Sequence, residues 1–454
     1  MVLNKQRMTN LDPLIRTKSF KEVALGYSEK EALLEASRCL HCKHKPCVGG
    51  CPVNINIPEF IKEISNNNIN KAYEIILKDN LFPSICGRVC PQESQCESKC
   101  VRAIKGESVG IGRLERYVGD NQSYKEQIEI KDNFIKVAIV GSGPSGLTCA
   151  YELRKIGFDV TIFEALHLPG GVLTYGIPEF RLPKSIVNDE AIKLKAMGIH
   201  IKTNVVIGKT ITIDQLEDLG FKAIYLASGA GLPKFMNIPG ENYNGVFSAN
   251  EFLTRVNLMK AYEEDSDTPL FKAKSVSVIG GGNVAMDAAR CAKRLGIENV
   301  YIIYRRGKEE LPARLEEIEH AEEEGIEFLL LTNPIEIIGD EKFAVSKLKC
   351  IKMELGVADA SGRRSPKPIS NSEFFVETDM IIMALGNYPN PLISKTTKGI
   401  DTNKYGCFIV DESMATSRVG IYAGGDATTG AATVIQAMGA GKIAANSISK
   451  YLSK

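Results

Sequence analysis

Neither sign of charge is in excess in this sequence: 56 Lys and Arg stand against 55 Asp and Glu, a formal charge of +1. That balance gives no general electrostatic drive toward nucleic acid or an anionic membrane. Long apolar runs are missing as well, none approaching the ~20 residues of a membrane-spanning helix. The opening Met-Val-Leu-Asn-Lys-Gln-Arg-Met has no apolar stretch behind its basic residues, so no signal peptide is expected, and a reducing cytoplasm is. Twelve cysteines are present, yet eight fall between Cys39 and Cys100, while Cys149, Cys291, Cys350 and Cys407 are solitary. That distribution excludes the evenly stapled scaffold of a secreted protein. It also leaves no Cys-x2-Cys or Cys-x4-Cys pair after Cys100, which a flavin-dependent disulfide reductase needs.

What is present divides in two. At 454 residues the chain is long enough for two or three domains, each with its own core. Up to about Asn133 the pattern is helical and punctuated by cysteine. Ser28 and Glu31 have the spacing of a capping box, and Ala32, Leu33, Ala36 and Leu40 then fall on one helical face. From Lys136 short β-branched runs alternate with Gly-rich turns and helices, the texture of a parallel sheet covered on both sides. One such unit begins at Val137-Ala138-Ile139-Val140 and a second at Val276-Ser277-Val278-Ile279, and the style of the first resumes near Leu385. The expected fold is therefore α/β: a helical domain over 1–133, then two Rossmann-like domains, the second (256–384) inserted in the first (134–255 and 385–454). The acidic run Tyr262–Asp267 reads as a solvated surface connection.

The cysteines form two runs, Cys39-x2-Cys42-x4-Cys47-x3-Cys51-Pro52 and Cys86-x3-Cys90-Pro91-x4-Cys96-x3-Cys100. Thiolates are soft ligands for iron–sulfur clusters or zinc, and eight can serve two centres. Structural zinc prefers two short knuckles; four cysteines ending in Cys-Pro follow the ferredoxin habit, in which the last cysteine of a run serves the other cluster. His41 and His44 lie inside the first run, but the thiolates suffice without them.

Two glycine turns follow the two strands. Gly141-Ser142-Gly143-Pro144-Ser145-Gly146 opens a helix, and Glu164 ends the next strand, placed to accept hydrogen bonds from a ribose diol while the pyrophosphate meets the helix N-terminus. Gly280-Gly281-Gly282-Asn283-Val284-Ala285 is the second, but its following strand ends in Arg305-Arg306. Arginines there grip a 2′-phosphate, which favours NADPH over NADH. Near the C-terminus, Gly424-Gly425-Asp426 precedes Thr433-Val434 and a helix of small residues. Asp426 is placed to bond a ribityl chain, and the helix N-terminus to meet the negative edge of a reduced flavin, which makes the first nucleotide site an FAD site.

Taken together, these motifs resemble the small (β) subunit of NADPH-dependent glutamate synthase over essentially the whole chain. The resemblance rests on the cysteine runs, on Gly170-Gly171-Val172-Leu173-Thr174-Tyr175-Gly176-Ile177-Pro178 with Phe180-Arg181-Leu182-Pro183-Lys184, on Tyr304-Arg305-Arg306 with Leu311-Pro312-Ala313, and on Gly424-Gly425-Asp426. Relatives are the N-terminal half of dihydropyrimidine dehydrogenase, the large subunit of electron-bifurcating NADH-dependent ferredoxin:NADP oxidoreductase, and the sulfide dehydrogenase α subunit. The resemblance implies glutathione-reductase-type nucleotide domains and adds Gly171, Arg181 and Thr433 to the cofactor-binding residues. It implies two [4Fe–4S] clusters, one on Cys39, Cys42, Cys47 and Cys100, the other on Cys51, Cys90, Cys96 and Glu115; cysteine counting favours Cys86 over Glu115. Hydride would pass from NADPH to FAD with no side-chain acid or base. Electrons would then pass through the clusters to a second subunit, either a glutamate-forming catalytic chain or a ferredoxin-reductase-like flavoprotein, with ferredoxin a further acceptor. Nothing resembles an amidotransferase, so this chain alone is not expected to hydrolyse glutamine. A zinc-stapled adaptor with vestigial nucleotide folds is the competing class, and it leaves both glycine fingerprints unexplained.

Overall fold

Ser28 opens the regular structure of the N-terminal region. Its backbone N–H donates to Glu31 at 2.8 Å and its hydroxyl accepts from the Glu31 N–H, a capping box at the head of α1 (Glu29–Ala36). The helix stops at Ala36, so Leu40 lies beyond its end and is exposed, unlike the buried Ala32 and Ala36. The computed structural model describes residues 4–124, 129–358 and 364–453. The first three residues of the N-terminal stretch read above lie outside that range.

Four further helices, α2 (Ile57–Ser65), α3 (Ile69–Leu77), α4 (Pro83–Val89) and α5 (Ile111–Asn121), build the rest of the core of the N-terminal region. Their apolar stripes meet around Phe60, Ile76, Ile85 and Leu114.

The first glycine turn lies between β1 (Lys136–Val140) and α6 (Pro144–Lys155), followed by β2 (Asp159–Phe163), β3 (His200–Lys202) and β4 (Ala223–Leu226). The chain then makes β5 (Val246–Ser248), β6 (Ser275–Ile279), α7 (Asn283–Arg294), β7 (Asn299–Tyr304), α8 (Leu315–Glu323) and β8 (Glu327–Leu330). Three long strands follow, β9 (Thr332–Gly339), β10 (Val345–Ala358) and β11 (Arg364–Glu377), then β12 (Met380–Met383), β13 (Ile421–Ala423) and the long α9 (Val434–Leu452). Two all-parallel sheets result, in the orders β13-β4-β1-β2-β3 and β5-β12-β6-β7-β8. β13 returns to the first sheet after β12 closes the second, so the second unit is an insertion.

Two features depart from expectation. β5 pairs with β12 in the second sheet, Val246 opposite Ile381, so the chain joins that sheet at residue 246, ahead of 256. In addition, β9, β10 and β11 form an antiparallel sheet whose Leu348, Cys350 and Val376 cover one face of the second parallel sheet at Ile279, Ile303 and Ile381. That cover satisfies the rule that a parallel sheet is buried on both faces.

The helical region and the first sheet share one core, which runs from Phe60 and Ile76 through Cys86 and Cys90 to Ile139, Leu147 and Met438 of α9. A continuous apolar core leaves no interface on which the two could slide. Among the described residues no helix is long and apolar enough to cross a membrane.

Candidate cofactor sites

Gly141 turns the chain out of β1 with φ +101°, and a Cβ there would lie 2.4 Å from the carbonyl oxygen of Ala227. Only glycine fits that conformation and that approach. At Gly143, by contrast, a Cβ would meet nothing within 4 Å, so the turn faces open space at the head of α6. Parts distant in sequence converge on this turn. A Cβ on Gly171 would lie 2.8 Å from the Cα of Gly143, and one on Gly425 3.1 Å from Cβ of Ser145. Asp426 follows Gly425 and accepts the Ala432 N–H at 3.0 Å, while burial pushes its carboxyl up to about 6. Thr433 caps α9, and its hydroxyl lies 3.4 Å from the amide nitrogen of Gln95 in the cysteine region.

Glu164 ends β2 as expected, and its carboxylate orders the turn: Oε2 accepts from Ser142 N–H at 2.9 Å and Ser142 Oγ at 2.5 Å, and Oε1 from Leu166 N–H at 2.8 Å. Ser142 and Tyr225, which bonds Ser145 Oγ at 2.6 Å, are supports that the sequence reading missed. Gly141, Gly143, Pro144, Ser145, Gly146, Glu164, Gly171, Gly425, Asp426 and Thr433 thus form one neighbourhood. The open cradle, the buried Glu164 and the half-buried Asp426 fit a dinucleotide.

The second turn repeats this design. Gly280 has φ +145° and a Cβ there would lie 2.4 Å from the Ala384 carbonyl oxygen. Asn283 begins α7, its Oδ1 accepts the Arg314 N–H at 2.9 Å, and Ala285 is fully buried. Leu311 and Pro312 pack over Gly281 and Gly282. At the end of β7, Arg305 is exposed, and Arg306 donates to the Arg364 carbonyl at 3.0 Å.

Arg181 does not join the first site. One of its terminal nitrogens donates to both oxygens of Asp287 at 2.8 and 2.7 Å, and Nε lies 3.0 Å from Glu317, so its guanidinium is committed to the second unit.

The cysteines differ in exposure: Cys51, Cys86, Cys90 and Cys96 are buried, and the other four of the two runs are half-buried. Cys39, Cys42, Cys47 and Cys100 line one shallow opening. Burial, and then Cys39 and Cys100, push the Cys47 thiol up to about 11. Among the buried four, burial, and then Glu115 and Cys90, push Cys51 up to about 11. Cys90 is held well above the ordinary thiol, first by a hydrogen bond with Cys86 and then by burial; Cys96 is raised by burial, Glu97 and Glu115. Glu115 is itself buried and pushed up to about 8, with the Asn80 amide donating to it at 2.5 Å. The other end of Asn80 accepts from the Cys86 thiol at 3.6 Å, so one amide holds both rivals for the last ligand position. Thiols raised by burial and by their neighbours, and a carboxyl raised by burial, are groups that a cationic iron core stabilises as anions. Among the described residues no three His, Cys, Asp or Glu side chains converge on a single ion. Ligands to the separate corners of a four-iron cluster stand further apart than those of one zinc. His41 and His44 are exposed.

A family model described as pyridine nucleotide-disulphide oxidoreductase matches residues 135–441, and one described as dihydropyrimidine dehydrogenase domain II, 4Fe-4S cluster, matches 16–127. Mycobacterium tuberculosis FprA in complex with NADPH shares the fold, with a TM-score of 0.60 at 22% identity over 71% of this chain and 85% of that one. The chain is therefore an oxidoreductase of the pyridine nucleotide-disulphide class with an iron–sulfur domain ahead of it, although its four later cysteines are all buried and free. The glutamate synthase [NADPH] small chain of Azospirillum brasilense is 34% identical over 461 residues, covering 98% of this chain and 94% of that one. Within the class, the chain belongs to the glutamate synthase small-chain family. The NADP(+)-dependent formate dehydrogenase subunit beta of Moorella thermoacetica is 36% identical over 435 residues, 90% of this chain, which spans 60% of that relative's length.

Proposed function

We propose that this protein is an NADPH-dependent electron-entry subunit, in which hydride passes from NADPH to FAD and electrons leave through two [4Fe–4S] clusters to a separate catalytic or ferredoxin-reductase-like subunit. FAD lies along Gly141, Gly143, Pro144, Ser145 and Gly146, with Glu164 on the ribose and Asp426 on the ribityl chain. NADPH lies along Gly280, Gly282, Asn283 and Ala285, with Arg305 and Arg306 on the 2′-phosphate. Cys39, Cys42, Cys47 and Cys100 hold one cluster; Cys51, Cys90, Cys96 and Glu115 hold the other. The protein's work is to bind, orient and desolvate, because the reacting atoms belong to the cofactors.

One observation carries the reading: the helix that closes the flavin cradle is packed on the second cysteine run, Cys86 to Cys100, which supplies Cys90 and Cys96 to the buried set. Met438 of α9 lies 3.7 Å from the Cys86 sulfur, and Thr433 meets Gln95, the neighbour of Cys96. The first set opens at the surface, where Leu40 and Val101 are exposed. The buried set thus stands toward the flavin and the open set toward a partner. The names of the relatives, an NADPH-linked small chain and an NADP(+)-linked subunit beta, support both the nucleotide and the partner.

Anaerobic titration of the purified chain with NADPH and, separately, NADH tests this, with iron and acid-labile sulfide measured on the same sample. Bleaching of the flavin by NADPH in preference to NADH, with about eight irons per chain, is the expected result. Zinc in place of iron, or a bound flavin that neither nucleotide reduces, would sink the reading.

A further inference from the structure

The segment from Gly171 to Arg181 touches the first nucleotide turn and the helix that follows the second. Its head packs against the first: a Cβ on Gly171 would meet the Cα of Gly143 at 2.8 Å. Its tail enters the second unit, where Arg181 donates to both oxygens of Asp287 and lies beside Glu317. Asp287 stands four residues into α7, about 6 Å along the axis from Asn283, so Arg181 grips this helix near the end that faces the second turn.

Phe180 adds a second grip. Its ring is 1% exposed, and the guanidinium carbons of Arg290 and Arg294 lie 4.6 and 3.8 Å from its centroid. Asp287, Arg290 and Arg294 fall at i, i+3 and i+7, one face of α7. The segment between head and tail is held from within. The half-buried Lys184 ammonium donates to the carbonyls of Leu173 at 2.9 Å and Leu182 at 3.0 Å, and to that of Ile177. A buried ion pair returns little net stability against its hydrophobic replacement. What it does supply is direction, since a planar guanidinium shared between two carboxylates fixes both distance and angle.

We infer that residues 171–181 form a strut that sets the two nucleotide turns in one register, with Arg181 as a positioning residue for the nicotinamide and flavin rings and not as a flavin ligand. The inference rests on the reading of the two turns as FAD and NADPH sites. Loss of the grip lets α7 shift, and a displacement of about 1 Å at reacting atoms costs on the order of 100-fold in rate.

The test compares the wild-type holoprotein with Arg181→Ala, Arg181→Lys and Asp287→Asn. Flavin and iron content, the NADPH dissociation constant, and the limiting rate of flavin reduction under anaerobic stopped flow are measured for each. Hydrogen exchange of the amides of residues 173–182 and 283–290 is followed in parallel. The expected result for Arg181→Ala is retained FAD and iron, an NADPH dissociation constant within about threefold of wild type, a limiting rate at least tenfold lower, and faster exchange confined to those two segments. Arg181→Lys recovers part of the rate, and Asp287→Asn reproduces the loss. Release of FAD from Arg181→Ala would make Arg181 a flavin ligand and overturn the inference. So would a wild-type rate with unchanged exchange, or failure of all three variants to fold, which would make the pair a stability element alone. A wild-type flavin that NADPH does not reduce refutes the functional reading instead, and the exchange measurement still decides whether the strut exists.

Discussion

Asn80 touches both candidates for the last cluster position. Its Nδ2 donates to Glu115 and its Oδ1 accepts from the Cys86 thiol, so the protein holds a carboxylate as an acceptor and a thiol as a donor on the same amide. The family resemblance favours Glu115, and substitution decides between the two. Glu115→Ala is expected to lose or alter one cluster, seen as a fall toward about four irons per chain or a changed electron paramagnetic resonance spectrum. Cys86→Ser keeps both clusters. The opposite pattern would transfer the role to Cys86. Arg305 and Arg306 make a second prediction at this scale. Their replacement by Ala removes charge-assisted bonds to a 2′-phosphate and raises the KM for NADPH about 10- to 100-fold, leaving that for NADH unchanged. An equal effect on both nucleotides would place the arginines elsewhere. The thiols and the arginine pair stand out in the sequence as candidates because residue type and local spacing mark them. The role of Arg181 was not, because its partner Asp287 lies 106 residues away and nothing local marks the pair.

Among the elements, α6 and α9 fix the shape of the flavin cradle, and glycine permits their contact. A Cβ on Gly441 would lie 2.4 Å from the Ser145 carbonyl oxygen and 3.1 Å from the Cys149 nitrogen. Both are backbone atoms of the helix that follows the first turn, so neither can swing aside. Gly441→Ala is expected to cost about 1–3 kcal/mol through overpacking, read as a lower thermal midpoint together with weaker FAD retention. A neutral result would mean that the two helices separate freely, and the cradle would then not depend on their contact. The small-residue texture of α9 was visible in the sequence, and so were β1, β6 and their glycine turns, whose periodicity is strong. β5 was not: three residues, Val246-Phe247-Ser248, are too few to show a pattern, and the domain boundary was drawn too late for that reason. β11 escaped notice because most of its residues are exposed or half-buried, which leaves little apolar signal to read.

At the scale of the whole molecule, three regions meet in one buried lattice of charge. Arg16 of the N-terminal segment pairs with Glu323 at 2.6 Å and Glu324 at 2.9 Å, and Arg290 and Arg294 of α7 share Glu324. His320 sits within this lattice. Its Nε2 lies 3.1 Å from the Asn10 amide, and its carbonyl accepts from Arg16 at 3.2 Å. Burial, and then the Arg290 charge, lower the imidazole from 6.5 to about 4, against the opposing pull of Glu317 and Glu316. Between about pH 4 and 6.5 the unfolded chain therefore carries a proton that the folded chain refuses, and acidification favours unfolding. Above pH 6.5 neither state is protonated there and the contribution is constant. Asp287, raised to about 6, has the opposite sign, since the folded state holds its proton more tightly. The histidine's part is isolated by comparing wild type with His320→Gln, which keeps an amide acceptor for Asn10 and cannot titrate. The difference in unfolding free energy between the two is expected to be flat from pH 8 to 7. Below pH 6.5 it shifts against the wild type by up to about 1.4 kcal/mol per pH unit until about pH 4. A difference that stays flat down to pH 4.5 would mean that the lattice opens and admits water before His320 is protonated. The N-terminal segment would then detach from α7 and α8 on acidification without the histidine as its trigger.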